Sequence, residues 1–441
     1  MMAQGSGMED LNSVDNGEGS FDEVEMALTG INMMLNNGFD EASALFDKYR
    51  EESPLMQAGY SFVFFMQALM SFEEDKLATA QKVLQETEKF CDISDGFVKS
   101  FKRKFSKKKK AENGMSTEEK IQRQVIVADS LLYQAILTFT NQDIPSYIKG
   151  GTQEAEAIIR DKESAFPNSS LFLFFRGRIH RLRKENDKAY EIYTRAMEEA
   201  KGQREIELMC LYEISWYSLM KLNWERSLEG FIRLRKESKW SKCYYTYLVA
   251  VCLGSQGKIK EAHETFQEVP GLVKRKNNQI EIFSARRAER YIKVEPTKEH
   301  CRLLTLELIF LWHALPTCSK DDLKPLLEVC EMQTDPSVFH LKCLLEGTLY
   351  KELGDEDMAI QCLREALARH QGRKDDGHVA AFALFELASI YMTKPETLSL
   401  AKEELHLIKN NYKDYDFENR LSVRVNNALK KLKGASASSL Q

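Results

Sequence analysis

Polar and apolar positions along this chain alternate with a helical period almost from end to end. Glu23 to Asn36 reads as one helix, Asn36-Asn37-Gly38 as a turn, and Asp40 to Arg50 as the returning helix. A second pair follows, Leu55 to Phe72 and Lys76 to Phe90. Ser116 to Thr140 is a long helix: Ser116-Thr117-Glu118-Glu119 supplies its cap, and Val125, Ala128, Leu131, Leu132, Ala135, Ile136 and Phe139 form its apolar side. Further on, Gln279 to Tyr291 is a basic helix, Lys298 to Ala314 pairs with Asp321 to Met332, and Ser422 to Leu432 is a capping helix. The most apolar run, Leu303 to Leu315, holds Glu307 and His313 and falls short of the roughly 20 residues a membrane span needs. It reads as a buried helix.

Between Pro167 and Pro270 a longer period is laid over the helical one. Gly177, Ala189 and Tyr193, then Ser215, Ser227 and Phe231, then Ala250, Ala262 and Phe266 each place a second small residue twelve after the first and an aromatic ring sixteen after it. Two antiparallel helices approach closely only where small side chains face each other, and a large one then fills the gap to the next pair. This is the spacing of a tetratricopeptide repeat, a helix-turn-helix unit of roughly 34 residues that must be stacked before it can hide its apolar face. Gly30, Ala42, Phe46 and Pro54 keep the same offsets, with Pro54 expected to close the second helix, and Ala68, Ala80 and Leu84 keep them in a degenerate copy. Gly347, Tyr350, Gly354, Ala359, Leu363 and Ala366 repeat the pattern, as do Leu384, Ala388, Tyr391, Ala401 and Leu405 with one extra residue in the turn. Ala155, Ile159 and Pro167 match only the second helix of a unit. The place for its first helix carries Asn141, Asp143, Pro145 and Gly150-Gly151, so half a repeat is missing there.

The fold class is all-α, a tetratricopeptide-repeat α-solenoid of stacked antiparallel helix hairpins. At 441 residues the chain exceeds one ordinary compact domain, but a solenoid grows by adding hairpins and has no such limit. The composition divides it into a disordered acidic tail (1–21), N-terminal hairpins (22–90), a basic linker (91–116), a helix with the incomplete repeat (117–166), central repeats (167–293), C-terminal repeats with a capping helix (294–433) and a disordered tail (434–441). With 62 Lys and Arg against 67 Asp and Glu, the net charge of -5 gives no general attraction to nucleic acid or anionic membrane. The nine cysteines include no C-x-x-C pair and read as buried thiols of a reducing compartment. Met1 to Asp22 lacks the apolar core of a secretory signal, which fits a cytoplasmic protein, at an organelle surface in one reading.

One segment breaks the charge balance. Phe97, Phe101 and Phe105 recur at four-residue spacing among Lys99, Lys102, Arg103, Lys104 and the run Lys107 to Lys110. Three readings stay open: a solvated linker whose phenylalanines dock on the array, a contact for anionic membrane, and a nuclear-import or nucleic-acid patch. The first is preferred.

Signs of chemistry are weak. Gly254-Ser-Gln-Gly-Lys258 lacks the full spacing of a phosphate loop and lies between two helices. His370 and His378 flank an acidic loop at Asp375-Asp376 and are expected to be solvated, and no H-E-x-x-H occurs. Asn168-Ser-Ser170 reads as a helix cap. No catalytic, cofactor-binding or metal-ligating residues are assigned. Where some arrays carry a Lys and Asn clamp for a carboxylate, this chain has Ala27 and Ile31, Phe174 and Arg178, Tyr212 and Glu213, and Tyr244 and Leu248, so acidic C-terminal chaperone peptides are not expected to bind.

The stretches Leu28-Thr-Gly-Ile-Asn-Met-Met-Leu-Asn-Asn-Gly38, Phe166-Pro-Asn-Ser-Ser170, Lys274-Arg-Lys-Asn-Asn-Gln-Ile-Glu281 and Tyr412-Lys-Asp-Tyr-Asp-Phe-Glu-Asn-Arg-Leu421 resemble the tetratricopeptide repeat protein thirty-nine family. The resemblance runs from Phe21 to about Leu432 and implies a non-enzymatic interaction protein, related to a fungal protein of the outer mitochondrial membrane and inclusion clearance. In that family a Trp and a long apolar helical segment follow the stretch matching Tyr147-Ile-Lys-Gly-Gly151, whereas here Thr152 begins the next half-hairpin. An internally shortened, alternatively spliced form is implied.

The expected activity is protein binding in the concave groove made by first helices. Groove-facing positions fall on Leu171, Phe174, Arg178 and Arg181, on Met209, Tyr212, Trp216 and Leu219, and on Tyr244, Tyr247, Val251 and Gly254. Phe174, Arg178, Arg181, Tyr212, Trp216, Tyr244 and Tyr247 are the candidate partner site. Aromatic stripes at helical spacing are usually core, but Arg178 and Arg181, read as lacking acidic partners, are expected to reach solvent or a ligand and to mark an accessible groove. The alternative is a peripheral membrane-associated scaffold that uses residues 97–110.

Overall fold

A computed structural model describes residues 22–71, 73–92, 116–140, 166–274, 278–370 and 376–438. Most of the basic segment, residues 1–21 and 439–441 of the tails and residues 141–165 of the incomplete repeat lie outside them; residues 434–438, expected in a disordered tail, continue the last helix. The chain divides into two compact units, residues 1–66 with 79–138 and residues 67–78 with 139–441.

The first unit is built on the hairpin of α1 (Glu23–Leu35) and α2 (Phe39–Tyr49), on α3 (Pro54–Ser71) and α4 (Glu74–Cys91), whose facing tips belong to the second unit, and on α5 (Thr117–Thr140). Asp22 caps α1 through Val24 and Glu25, and Ser116 caps α5 through the Glu119 amide at 3.1 Å. Pro54 does not close α2, as expected, but opens α3; a helix tolerates proline in its first turn, where the missing N–H costs nothing. Gly30 of α1 and Gly59 of α3 both lie against the Phe46 ring, and a Cβ at either position would run into it. Phe46 is thus sealed between two successive hairpins, and burying such a ring is worth about 2–3 kcal/mol.

The sequence misassigns the buried face of α5. Among the described side chains Ile126, Ser130 and Leu137 are buried, while on the expected apolar side Ile136 is half-buried and Val125 and Leu132 are 53% and 55% exposed, together with Ile121, Ala128 and Leu131. The helix has two apolar stripes on nearly opposite sides, and a single-sided reading could choose only one.

The second unit runs through α6 (Ser170–Leu182), α7 (Asn186–Glu199), α8 (Arg204–Met220), α9 (Trp224–Glu237), α10 (Lys242–Ser255) and α11 (Ile259–Glu268), three hairpins in succession. A less regular section follows, α12 (Gln279–Glu289), α13 (Lys298–Leu311) and α14 (Lys320–Glu331). Then come the hairpins α15 (Phe339–Leu353) with α16 (Glu356–His370) and α17 (Gly377–Tyr391) with α18 (Leu398–Asn411), and finally α19 (Glu418–Ser438). The periodic rings Tyr193, Phe231 and Phe266 are buried, and Gly177 lies against Tyr193 as Gly30 does against Phe46. Five hairpin turns carry a residue in the left-handed region seven positions after the small residue: Asn37 at φ 70°, Lys184 at 64°, Leu222 at 57°, Gly257 at 90° and Gly354 at 94°. Among the described residues the architecture is entirely helical, an α-solenoid.

Candidate functional site

The positions expected to form an open groove in the central repeats are filled from within. Trp216 is 1% exposed, Phe174, Tyr244 and Tyr247 are also buried, and Tyr212 is half-buried. Trp312, just after α13, stacks on Tyr244 with centroids 5.4 Å apart and lies 5.6 Å from Trp216. Phe417, before α19, closes on Trp312 and on Phe283, and the Arg420 guanidinium covers both Trp312 and Phe417. The space left beside Arg181 and Trp216 is 10 Å³, about one water.

Arg178 and Arg181 have the acidic partner whose absence made them candidates. Both donate to Glu213 of α8, Arg178 at 3.0 Å, and Glu213 is buried. Burial disfavours the Arg181 cation, but the Glu213 charge outweighs it and raises the pKa. The inference from two arginines to an accessible groove is therefore corrected: a lone glutamate in the apolar run Leu208 to Met220 pairs with both of them.

A second buried cluster joins α12, α13, α15 and α17. Arg287, 3% exposed, donates to Glu307, which is fully buried, and to Asp376. Asp376 also accepts from Arg290 and pairs with His340 at 2.8 Å, and His378 pairs with Glu307 at 3.0 Å. Burial alone would raise the Asp376 pKa, yet the Arg287 charge and the His340 hydrogen bond hold it well below the usual carboxylate range. His370 and His378, expected to be solvated, are both buried. The acidic loop and the lone Glu307 were visible in the sequence, but nothing local brings residues 71 and 91 positions apart together. Among the described residues no group of three or more His, Cys, Asp or Glu is placed to hold a metal ion. All nine cysteines are free thiols, and burial pushes Cys91 up to about 11 and Cys243 up to about 12.

A hollow lies in the first unit. Ala27 and Ile31 of α1, Leu55, Ala58, Gly59 and Phe62 of α3, and Ile126, Asp129, Ser130 and Tyr133 of α5 line a hollow of 270 Å³ that Phe46 also touches. α1 and α3 are first helices of their hairpins, so this is the face that a tetratricopeptide array presents to its ligands. Two polar contacts tie its walls. Glu23 accepts from Ser53 and, at 3.3 Å, from Gln122 of α5, and Tyr133 stacks on Phe65 with centroids 4.4 Å apart. Val24 and Leu28, on the same stripe of α1 as Ala27 and Ile31, are 55% and 59% exposed. Ala27 and Ile31 are also the positions where a carboxylate clamp would need Lys and Asn.

Stacked antiparallel hairpins with small-residue contacts and an open first-helix face define a tetratricopeptide-type α-solenoid. A family model described as Iml2/Tetratricopeptide repeat protein 39 matches residues 28–153 and 151–370, and the chain belongs to that family. Solved structures similar to it include the APC/C hetero-tetramer Cut9-Hcn1, at 10% identity over 94% of this chain and 90% of that one with a TM-score of 0.28. The P58(IPK) TPR domain matches at 9% identity over 93% and 98% with a TM-score of 0.21. Neither likeness bears on function.

Proposed function

We propose that the protein is a non-enzymatic scaffold or adaptor that holds a segment of another protein in the first-helix groove of its N-terminal unit. The observation that carries this reading is the 270 Å³ hollow between α1, α3 and α5, beside which Val24 and Leu28 stay uncovered. Apolar surface of that kind, on the concave side of an array, is what a docking helix or extended peptide covers. The central rings, packed by Trp312 and Phe417, are core in this reading, so the groove moves from the central repeats to α1, α3 and α5. The test is proximity labelling in intact cells with wild type and with Ala58→Trp, which plugs the hollow. Neighbours lost with the plug, at unchanged helical content and melting midpoint, are the expected result; an unchanged set of neighbours sinks the proposal.

Within the family we read the chain as nearest the C member and internally shortened after Gly151. The family match in two stretches that meet at residues 151–153 supports this, as does the uncovered outer stripe of α5, where a stacked array would carry its next hairpin. A second reading, a peripheral scaffold at an outer mitochondrial or other organelle surface, is supported by the basic and aromatic residues 97–110. Among the described residues no helix is long and apolar enough to cross a membrane, so attachment would run through that segment. Loss of liposome co-sedimentation on its deletion would favour this reading; no sedimentation at physiological salt would end it.

A further inference from the structure

We infer that the occupant of the α1–α3–α5 groove is a basic amphipathic helix of a partner protein, with bulky apolar anchors on one face and lysine or arginine beside them. The inference rests on the groove reading above and adds the partner's chemistry. The hollow is lined mostly by apolar side chains, with the hydroxyls of Ser61, Ser130 and Tyr133 among them and Asp129 its only charged member. Asp129 is exposed, and among the described residues no Lys or Arg pairs with it. The walls carry the same sign. α3 contains no charged residue, and α1 contains Glu23 and Glu25 and no base.

Of the two cations on α5, Arg123 is turned to the end of α4. It donates to the Phe90 carbonyl at 3.0 Å, lies over the Phe90 ring and pairs with Glu119 at 3.5 Å, and Lys120 does not line the hollow. An acidic ligand would bring its charge against Asp129 with no cation in the lining to offset it, and a neutral one would leave Asp129 beside its apolar contact without a counterion. A basic helix avoids both costs. Its anchors fill the hollow and cover Val24 and Leu28, and one cation meets Asp129 at the rim.

The test is fluorescence anisotropy with the full chain and two labelled synthetic helices, both with leucines at i, i+3, i+4 and i+7. One carries lysines at the remaining positions and its twin carries glutamates. The lysine peptide is expected to bind saturably and the twin to bind far less. Ala58→Trp should abolish binding, and Asp129→Lys should weaken the lysine peptide by about tenfold, because an attraction becomes a repulsion.

Equal binding of the twins, still stopped by Ala58→Trp, overturns the basic partner and leaves the groove reading standing. Binding untouched by Ala58→Trp overturns the site itself. Lysine-peptide binding that appears only after Phe97→Ser, Phe101→Ser and Phe105→Ser would give the groove to the chain's own basic segment, and plug-sensitive uptake of a fluorescent fatty acid without peptide binding would give it to an acyl chain. Either result overturns the inference.

Discussion

Arg287 shows how much a single buried charge decides in this chain. Its guanidinium answers Glu307 and Asp376 at once, and those carboxylates are drawn from α13 and from the start of α17. Removing the guanidinium leaves Glu307 with His378 and Asp376 with Arg290 and His340, and breaking a buried ion pair in this way costs up to about 3–5 kcal/mol. Arg287→Met should therefore lower stability by about that much at pH 7, read from urea unfolding. The pH dependence follows from the direction of the shifts. Glu307 and Asp376 are depressed in the folded state, so their contribution is fully present above the unfolded carboxylate values of about 4 and is lost as pH falls below them. The gap between wild type and Arg287→Met should narrow from pH 5 toward about pH 3. A gap independent of pH would mean that the guanidinium acts by packing alone. The same reasoning explains the misreading of Arg178 and Arg181, since an arginine's counter-charge can stand 35 residues away on the next hairpin, as Glu213 does.

At the scale of helices and hairpins, most of the fold was legible because its signals are local and periodic. Gly30, Gly177 and Gly347 stand where a ring or a leucine sixteen residues later must come close, and that offset is set by the hairpin's own geometry. The turns were only half legible. Gly257 and Gly354 announce a left-handed residue, whereas Asn37, Lys184 and Leu222 adopt the same conformation with nothing in Lys or Leu to signal it. Which face of α5 is buried was not legible at all, since both of its stripes are apolar and only the neighbouring helices choose between them. That exposure has a consequence. Val125→Glu with Leu132→Glu should change the unfolding free energy by less than about 1 kcal/mol, since neither side chain is buried, while Ile126→Glu should cost several times more. If the exposed pair proves as costly as Ile126→Glu, that stripe is covered and the reading of a missing hairpin fails.

Across the whole molecule, the division of labour differs from the one the repeat spacing implies. The most regular repeats, α6 to α11, carry the aromatic face that looks most like a binding groove, yet Trp312 and Phe417 return from later in the chain to fill it. Long-range closure of this kind leaves no mark on a 34-residue period, which records only contacts between neighbouring hairpins. The central face becomes core, and the N-terminal hairpins, the second of them a degenerate copy, keep a hollow. Trp312 should then be a stability residue of the second unit and of that unit alone. Trp312→Ala removes a half-buried ring that stacks on Tyr244 and touches Trp216 and Phe417, so its truncation should cost somewhat less than the roughly 3–5 kcal/mol of a fully buried ring. In an array whose stability is a sum of hairpin and nearest-neighbour contributions, the loss falls on the hairpins that touch the site and fades along the chain. Hydrogen exchange of Trp312→Ala should accordingly show faster opening of α8, α10 and α13, with α1 and α2 as protected as in wild type. Equal loss of protection in α1 and α2 would mean that the two units unfold as one, and the N-terminal groove could not then be treated as a site with a stability of its own.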